Sequence, residues 1–137
     1  MKYVYEFVPR FSDFDMLGII HHSIYLKYVE EARINAFEEY FNIAMKSFLQ
    51  QYCNVVIANV DMKYLKMIRV RKTYRIEIQL DFESGVYVLS NFEIADEEEV
   101  FVRGTMKLCF VDKEGNLLLS YPDFIKEMLQ EKLESEV

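Results

Sequence analysis

The sequence predicts an antiparallel α+β domain in which one long helix lies against a sheet. Three observations predict it. Apolar residues between Ile24 and Phe41 recur at spacings of three and four, the period of one buried helix face. Between Tyr74 and Phe82 the apolar positions alternate with Arg75, Glu77, Gln79 and Asp81, the period of a strand with one wet face. The later strands are separated only by short turn signals. Short turns join antiparallel neighbours, whereas parallel strands need long crossovers.

Taken in order, Lys2 to Val8 mixes aromatic and aliphatic residues and reads as a first strand. Pro9 to His22 is irregular. Ser23 stands where an N-cap is expected, with a hydroxyl able to accept from a free helix N–H. Tyr25, Tyr28, Val29, Ala32, Ala36, Phe37, Tyr40 and Phe41 then form the apolar helix face. Lys27, Glu30, Glu31, Arg33, Glu38 and Glu39 are expected on the solvent face. Asn42 to Tyr52 is ambiguous and compatible with a short second helix. From Val55 the period changes. Tyr74 to Phe82, Val86 to Ile94 and Val100 to Val111 read as strands, divided by turns at Ser84-Gly85 and Asp96 to Glu99. A further turn spans Asp112 to Asn116. Pro122 suits the first turn of a closing helix with Phe124, Ile125, Met128, Leu129 and Leu133 inside. Glu131, Glu134 and Glu136 crowd the end of that helix with the wrong sign for its dipole, so fraying is expected there.

A chain of 137 residues reads as one domain, 1–137, and 52% hydrophobic residues suffice for a core. The net charge of -7 argues against general nucleic-acid binding, which needs a basic face. No run approaches the ~20 apolar residues of a membrane span. Met1 to Phe7 is interrupted by charge and lacks a small-residue cleavage site, so no secretory signal is expected. Cys53 and Cys109 stand far apart without a CxxC context and are expected as reduced thiols in the cytoplasm.

The chemistry concentrates between Arg10 and Arg33. Asp13 and Asp15 lie one residue apart, followed by Gly18, the His21-His22 pair and the helix start. A carboxylate that can serve as a base therefore neighbours a helix N-terminus with free N–H groups. The same aspartates also suit plain turn formation. The two histidines are not expected to form a metal site, because adjacent side chains diverge and no third ligand sits at a usual spacing, and His21 is expected to be structural or solvent-facing. A run of Lys63, Lys66, Arg69, Arg71, Lys72 and Arg75 stands out in this acidic chain. It suits either a phosphate-bearing ligand or a solvated strand edge.

The segment Ser12-Asp-x-Asp15-x-x-Gly18-x-x-x-His22-x-x-Tyr25-x-x-Tyr28-x-Glu30-x-Ala32-Arg33 resembles the signature of hotdog-fold acyl-CoA thioesterases, most closely the 4-hydroxybenzoyl-CoA thioesterase-like group. The resemblance implies a long central helix wrapped by a curved antiparallel sheet, with two protomers sharing each active site in a homodimer or homotetramer. It implies Asp15 as nucleophile or general base, and His22 at the position whose N–H faces the thioester oxygen. It brings Gly18 to the substrate and lets Tyr25 touch the acyl group, although Tyr25 and Tyr28 equally suit core or interface aromatics. It places Lys66, Arg69, Arg71 and Lys72 near the CoA entrance. Met67 stands where relatives often carry proline, and Lys72 where they often carry an acid. Phe14, Met16 and Leu17 add bulk around Asp15. The implied reaction is hydrolysis of an acyl thioester, with CoA or acyl carrier protein as donor and no metal or redox cofactor. A non-catalytic acyl-CoA-binding module is the alternative. A dehydratase of the same fold is expected to carry a different, His-centred motif.

Overall fold

The computed structural model describes residues 2–135. The elements run β1 (Lys2–Phe7), α1 (His22–Phe41), α2 (Met45–Gln51), β2 (Asn54–Tyr64), β3 (Tyr74–Asp81), β4 (Tyr87–Ala95), β5 (Val100–Val111) and α3 (Asp123–Ser135), with a 3₁₀ turn at Phe11–Asp13. The five strands form one sheet in the order β1-β3-β4-β5-β2. Every pairing is antiparallel.

The alternation in β3 does what its period requires. Tyr74, Ile76, Ile78 and Leu80 are buried, and Ile76 and Ile78 pair with Ile94 and Phe92 of β4. Met106, Leu108 and Phe110 of β5 continue the same layer. Against it lies α1, which contacts β1 and β3 and buries Tyr25, Val29, Ala32, Ala36, Phe37 and Phe41. Gly104 of β5 sits where no side chain fits. A Cβ there would come within 2.2 Å of the Asp61 carbonyl oxygen and 2.7 Å of the Phe92 ring.

Strand β2 alternates only in its second half, where Val60 and Met62 are half-buried between exposed Asn59, Asp61 and Lys63, after an unbroken apolar run from Val55 to Ala58. It occupies the edge beyond β5, with one hydrogen-bonded neighbour and a register shift between Ile57 and Asn59. The shift separates the two halves, so the period-2 pattern holds on its C-terminal side and not across the whole strand.

Three expectations are corrected. The N-cap of α1 is His21, not Ser23: its Nδ1 accepts the Ser23 N–H at 3.3 Å and lies 2.8 Å from the Ser23 hydroxyl. The serine thus serves its capping neighbour rather than the backbone. Arg33 is not on the solvent face but 8% exposed. Burial pulls its pKa down, with the Glu30 charge opposing that, and its Nε has no hydrogen-bond partner. Pro122 lies just before α3, its carbonyl accepting the Lys126 N–H, rather than inside the first turn.

Elsewhere the ambiguous stretch contains α2, pinned by Phe48 at 0% exposure and by the Glu38 carboxylate, which accepts the Met45 N–H at 2.7 Å. Asn42 ends α1 in the left-handed region, φ 51°. Of the acids expected to crowd the end of α3, Glu131 and Glu134 are exposed on the helix and Glu136 lies outside the described residues. Cys53 and Cys109 are buried and unpaired, and burial raises the Cys53 thiol to about 11. No described helix is long and apolar enough to cross a membrane.

Candidate functional site

The site is built from two loops at one end of the layer, residues 9–21 and 65–73. The first is a tight hairpin. Asp15 donates its N–H to the Ile19 carbonyl at 2.9 Å, and its own carbonyl accepts the Gly18 N–H at 3.0 Å. Gly18 closes the turn at φ 74°, a conformation that disfavours any side chain. The second loop is stitched to the first. The Ile68 carbonyl accepts the Ile20 N–H at 3.2 Å, and Arg71 donates Nε to the Pro9 carbonyl at 2.8 Å.

The two aspartates hold different positions in this framework. The Oδ2 of Asp13 accepts the Tyr28 hydroxyl at 2.5 Å and the Arg10 N–H at 2.8 Å. Tyr28 is raised to about 12, by burial first and by Asp13 second. Asp13 is thereby committed to holding the loop on α1. The Oδ1 of Asp15 accepts the N–H groups of Leu17 at 2.8 Å and Ile19 at 3.4 Å. Its other oxygen has no hydrogen-bond partner among the described residues. Asp15 lines an open cavity of about 350 Å³ with Gly18, Phe11, Phe14, Arg69 and Arg71.

Of the residues expected at the site, the structure therefore brings Asp15, Gly18, Arg69 and Arg71 together. Lys66 and Lys72 point elsewhere, into ion pairs with Glu99 at 2.5 Å and Asp96 at 2.9 Å. The Lys72 hydrogen bond is the largest cause holding the Asp96 carboxyl well below its usual range, with the Glu99 and Glu98 N–H groups adding to it. His22 does not line the cavity. It opens α1, its N–H lacks a partner among the described residues, and its carbonyl accepts the Tyr64 hydroxyl at 3.2 Å. Its ring packs on that of His21 with centroids 4.1 Å apart.

Tyr25 is 1% exposed, and its hydroxyl accepts the Ile68 N–H at 3.0 Å, so it is a strut beneath the second loop. Tyr25 is not among the residues that line the cavity. Of the bulky residues around Asp15, only Phe14 lines the cavity, while Met16 and Leu17 are 103% and 78% exposed. Phe11 and the Tyr28–Asp13 contact escaped the sequence reading. Tyr28 stood in the motif, but nothing in its spacing says which aspartate it reaches. No group of three or more His, Cys, Asp or Glu suited to a metal ion occurs among the described residues.

The family model described as the thioesterase-like superfamily matches residues 9–129. A relative from Aquifex aeolicus (strain VF5), named "Putative esterase", is 25% identical over 131 residues, covering 96% of this chain and 100% of its own. The crystal structure of a 1,4-dihydroxy-2-naphthoyl-CoA thioesterase from Synechocystis superposes with a TM-score of 0.81 at 11% identity, covering 95% of this chain and 96% of that one. A DHNA-CoA thioesterase from Staphylococcus aureus gives 0.77 at 17% identity, covering 85% and 79%. The architecture is the hotdog fold.

Proposed function

The chain belongs to the thioesterase-like superfamily, and from that premise we propose that it hydrolyses an acyl-CoA thioester to the free acid and CoA. The observation that carries the reading is the state of Asp15. One carboxylate oxygen is fixed by two backbone N–H groups, and the other is uncommitted beside a cavity. That oxygen takes a proton from attacking water, or attacks the carbonyl carbon itself. The leaving group is a thiolate with an ordinary pKa of about 8.5, so its departure needs no strong general acid. In this reading the assembled dimer, not the cavity of one chain, brings the His22 N–H at the start of α1 to the developing oxyanion. No metal or redox cofactor enters this scheme.

Lys66 and Glu99 form an exposed ion pair, which is weak and screened by solvent, whereas Lys72 reaches from solvent to the mostly covered Asp96 carboxylate. In this reading the two lysines exchange Glu99 and Asp96 for the phosphates of CoA, or for acyl carrier protein, at the rim. The complete site takes a second copy of the chain, in a dimer or dimer of dimers. Phe11, Met16, Leu17 and Val70 stand exposed around the cavity, more apolar surface than a finished pocket leaves in water. The setting is expected to be cytoplasmic. The test is hydrolysis across acyl-CoA chain lengths, with Asp15→Asn as control. Tight acyl-CoA binding without turnover would replace the enzyme with a binding module.

A further inference from the structure

The cavity beside Asp15 holds two cations that simple thioester hydrolysis does not require. A base and an oxyanion donor suffice for that reaction. Arg69 and Arg71 nonetheless line the same cavity as Asp15, together with Phe11 and Phe14. They differ from the other cations of the loop. Lys66 and Lys72 already have carboxylate partners. Arg71 is held by Nε alone, to the Pro9 carbonyl, which fixes the guanidinium and leaves both terminal nitrogens to donate. Arg69 has no hydrogen-bond or ion-pair partner among the described residues.

The cavity lining carries two exposed guanidiniums and one carboxylate, so an anion that enters it meets a net positive wall. Planar guanidiniums favour a carboxylate, which each can meet with two parallel N–H donors. The nucleotide of CoA is a poor candidate for this position. The pantetheine arm keeps its phosphates many bonds from the thioester carbon, whereas Asp15 and both arginines share one cavity of about 350 Å³. That volume is near the small end of ligand sites, ~300–1,000 Å³. The anion bound here therefore belongs to the acyl side.

Resting on the hydrolase reading, we propose that the acyl group of the substrate carries its own carboxylate, recognised by Arg69 and Arg71. The substrate class is a monothioester of a dicarboxylic acid. Water adds its oxygen to the thioester carbon, the C–S bond breaks, the thiol leaves with a proton, and a dicarboxylate is released. Without the arginines, a substrate carboxylate next to Asp15 would be repelled.

The test compares matched pairs, 4-carboxybenzoyl against 4-methylbenzoyl and glutaryl against valeryl. Each acyl group is offered on CoA and on N-acetylcysteamine, which lacks the nucleotide. The wild type is expected to favour the carboxylate member of at least one pair tenfold or more in kcat/KM, on both donors. Arg69→Gln and Arg71→Gln are each expected to shrink that ratio tenfold, and a ratio within one protein is blind to any fraction that fails to fold. Equal rates for charged and neutral members of both pairs would overturn the proposal while leaving the hydrolase reading intact. So would a uniform loss in the variants on CoA esters alone, which would assign the arginines to the nucleotide. Absence of hydrolysis on all eight thioesters would overturn the hydrolase reading, and this proposal with it.

Discussion

In β3, β4 and β5 the inward side chains are covered within one chain, with Ile76, Ile78, Ile94 and Met106 all at 0% exposure. In the loops at the end of the same layer, Phe11 is 87%, Met16 103% and Val70 60% exposed. The sheet is finished by apolar contact. The loops are held by hydrogen bonds to backbone groups, and their apolar side chains await a cover. Stability and chemistry are thus lodged in different regions, and substitutions should separate them.

The largest effect is expected at Asp15. Asp15→Asn keeps an oxygen for the Leu17 and Ile19 N–H groups but loses the base. Turnover should fall ~10²–10⁴-fold, the scale of general base catalysis, with the melting temperature nearly unchanged. Asp13→Asn should cost less activity and more stability, since Asp13 is bonded to Tyr28 and Arg10. The reverse ranking would move the base to Asp13.

Gly104→Ala probes the sheet. Its Cβ meets the Asp61 carbonyl and the Phe92 ring, and overpacking of this kind costs about 1–3 kcal/mol. The urea midpoint should drop while kcat of the folded fraction holds. A loss of kcat without loss of stability would show that the two regions are not separable.

Sedimentation at micromolar concentration tests the cover itself. A dimer or larger species is expected, and a fully active monomer would contradict the shared site.

Tyr28→Phe sharpens the boundary between regions through pH. The folded Tyr28 holds its proton up to about 12 against an ordinary value of 10.0. Its contribution is fully present below pH 10 and is lost as pH rises from there through 12, because the unfolded tyrosine ionises first. Denaturation at pH 9, 11 and 12 should show wild type and variant converging. A constant gap would mean that the hydroxyl is not the cause.

The smallest effect is expected at the rim. Replacing Lys66 and Lys72 together by Gln should raise KM for acyl-CoA a few-fold at low salt, where screening is weak, and leave kcat alone. An unchanged KM would return both lysines to Glu99 and Asp96.

Much of this was legible in the sequence where a local period or offset carries it. The β3 alternation and the Asp15-to-Tyr28 spacing are of that kind. What was not legible depends on partners far along the chain. Strand β2 pairs with β5, some fifty residues on; its second half alternates from Asn59 to Lys63, but the apolar run Val55 to Ala58 and the register shift between Ile57 and Asn59 hide the period of its first half. Burial of Arg33 follows from packing that its charge opposes. The basic run reads as one cluster in sequence, yet in the fold Lys66 and Lys72 pair with Glu99 and Asp96, Arg75 with Glu77, and only Arg69 and Arg71 reach the cavity. Which aspartate is bound and which is free was settled by Tyr28, at a distance of 15 residues from Asp13.

Ile68 is the one buried residue in an otherwise exposed loop, at 0% exposure. Its N–H donates to the Tyr25 hydroxyl and its carbonyl accepts from Ile20. Amide hydrogens in exposed loops exchange with solvent rapidly, whereas those in buried hydrogen bonds wait for a larger opening. The Ile68 amide should therefore exchange on the timescale of the sheet, an isolated slow site flanked by fast ones. It ties the second loop to α1, so Arg69, its neighbour in that loop, is anchored through the helix rather than through the exposed chain around it.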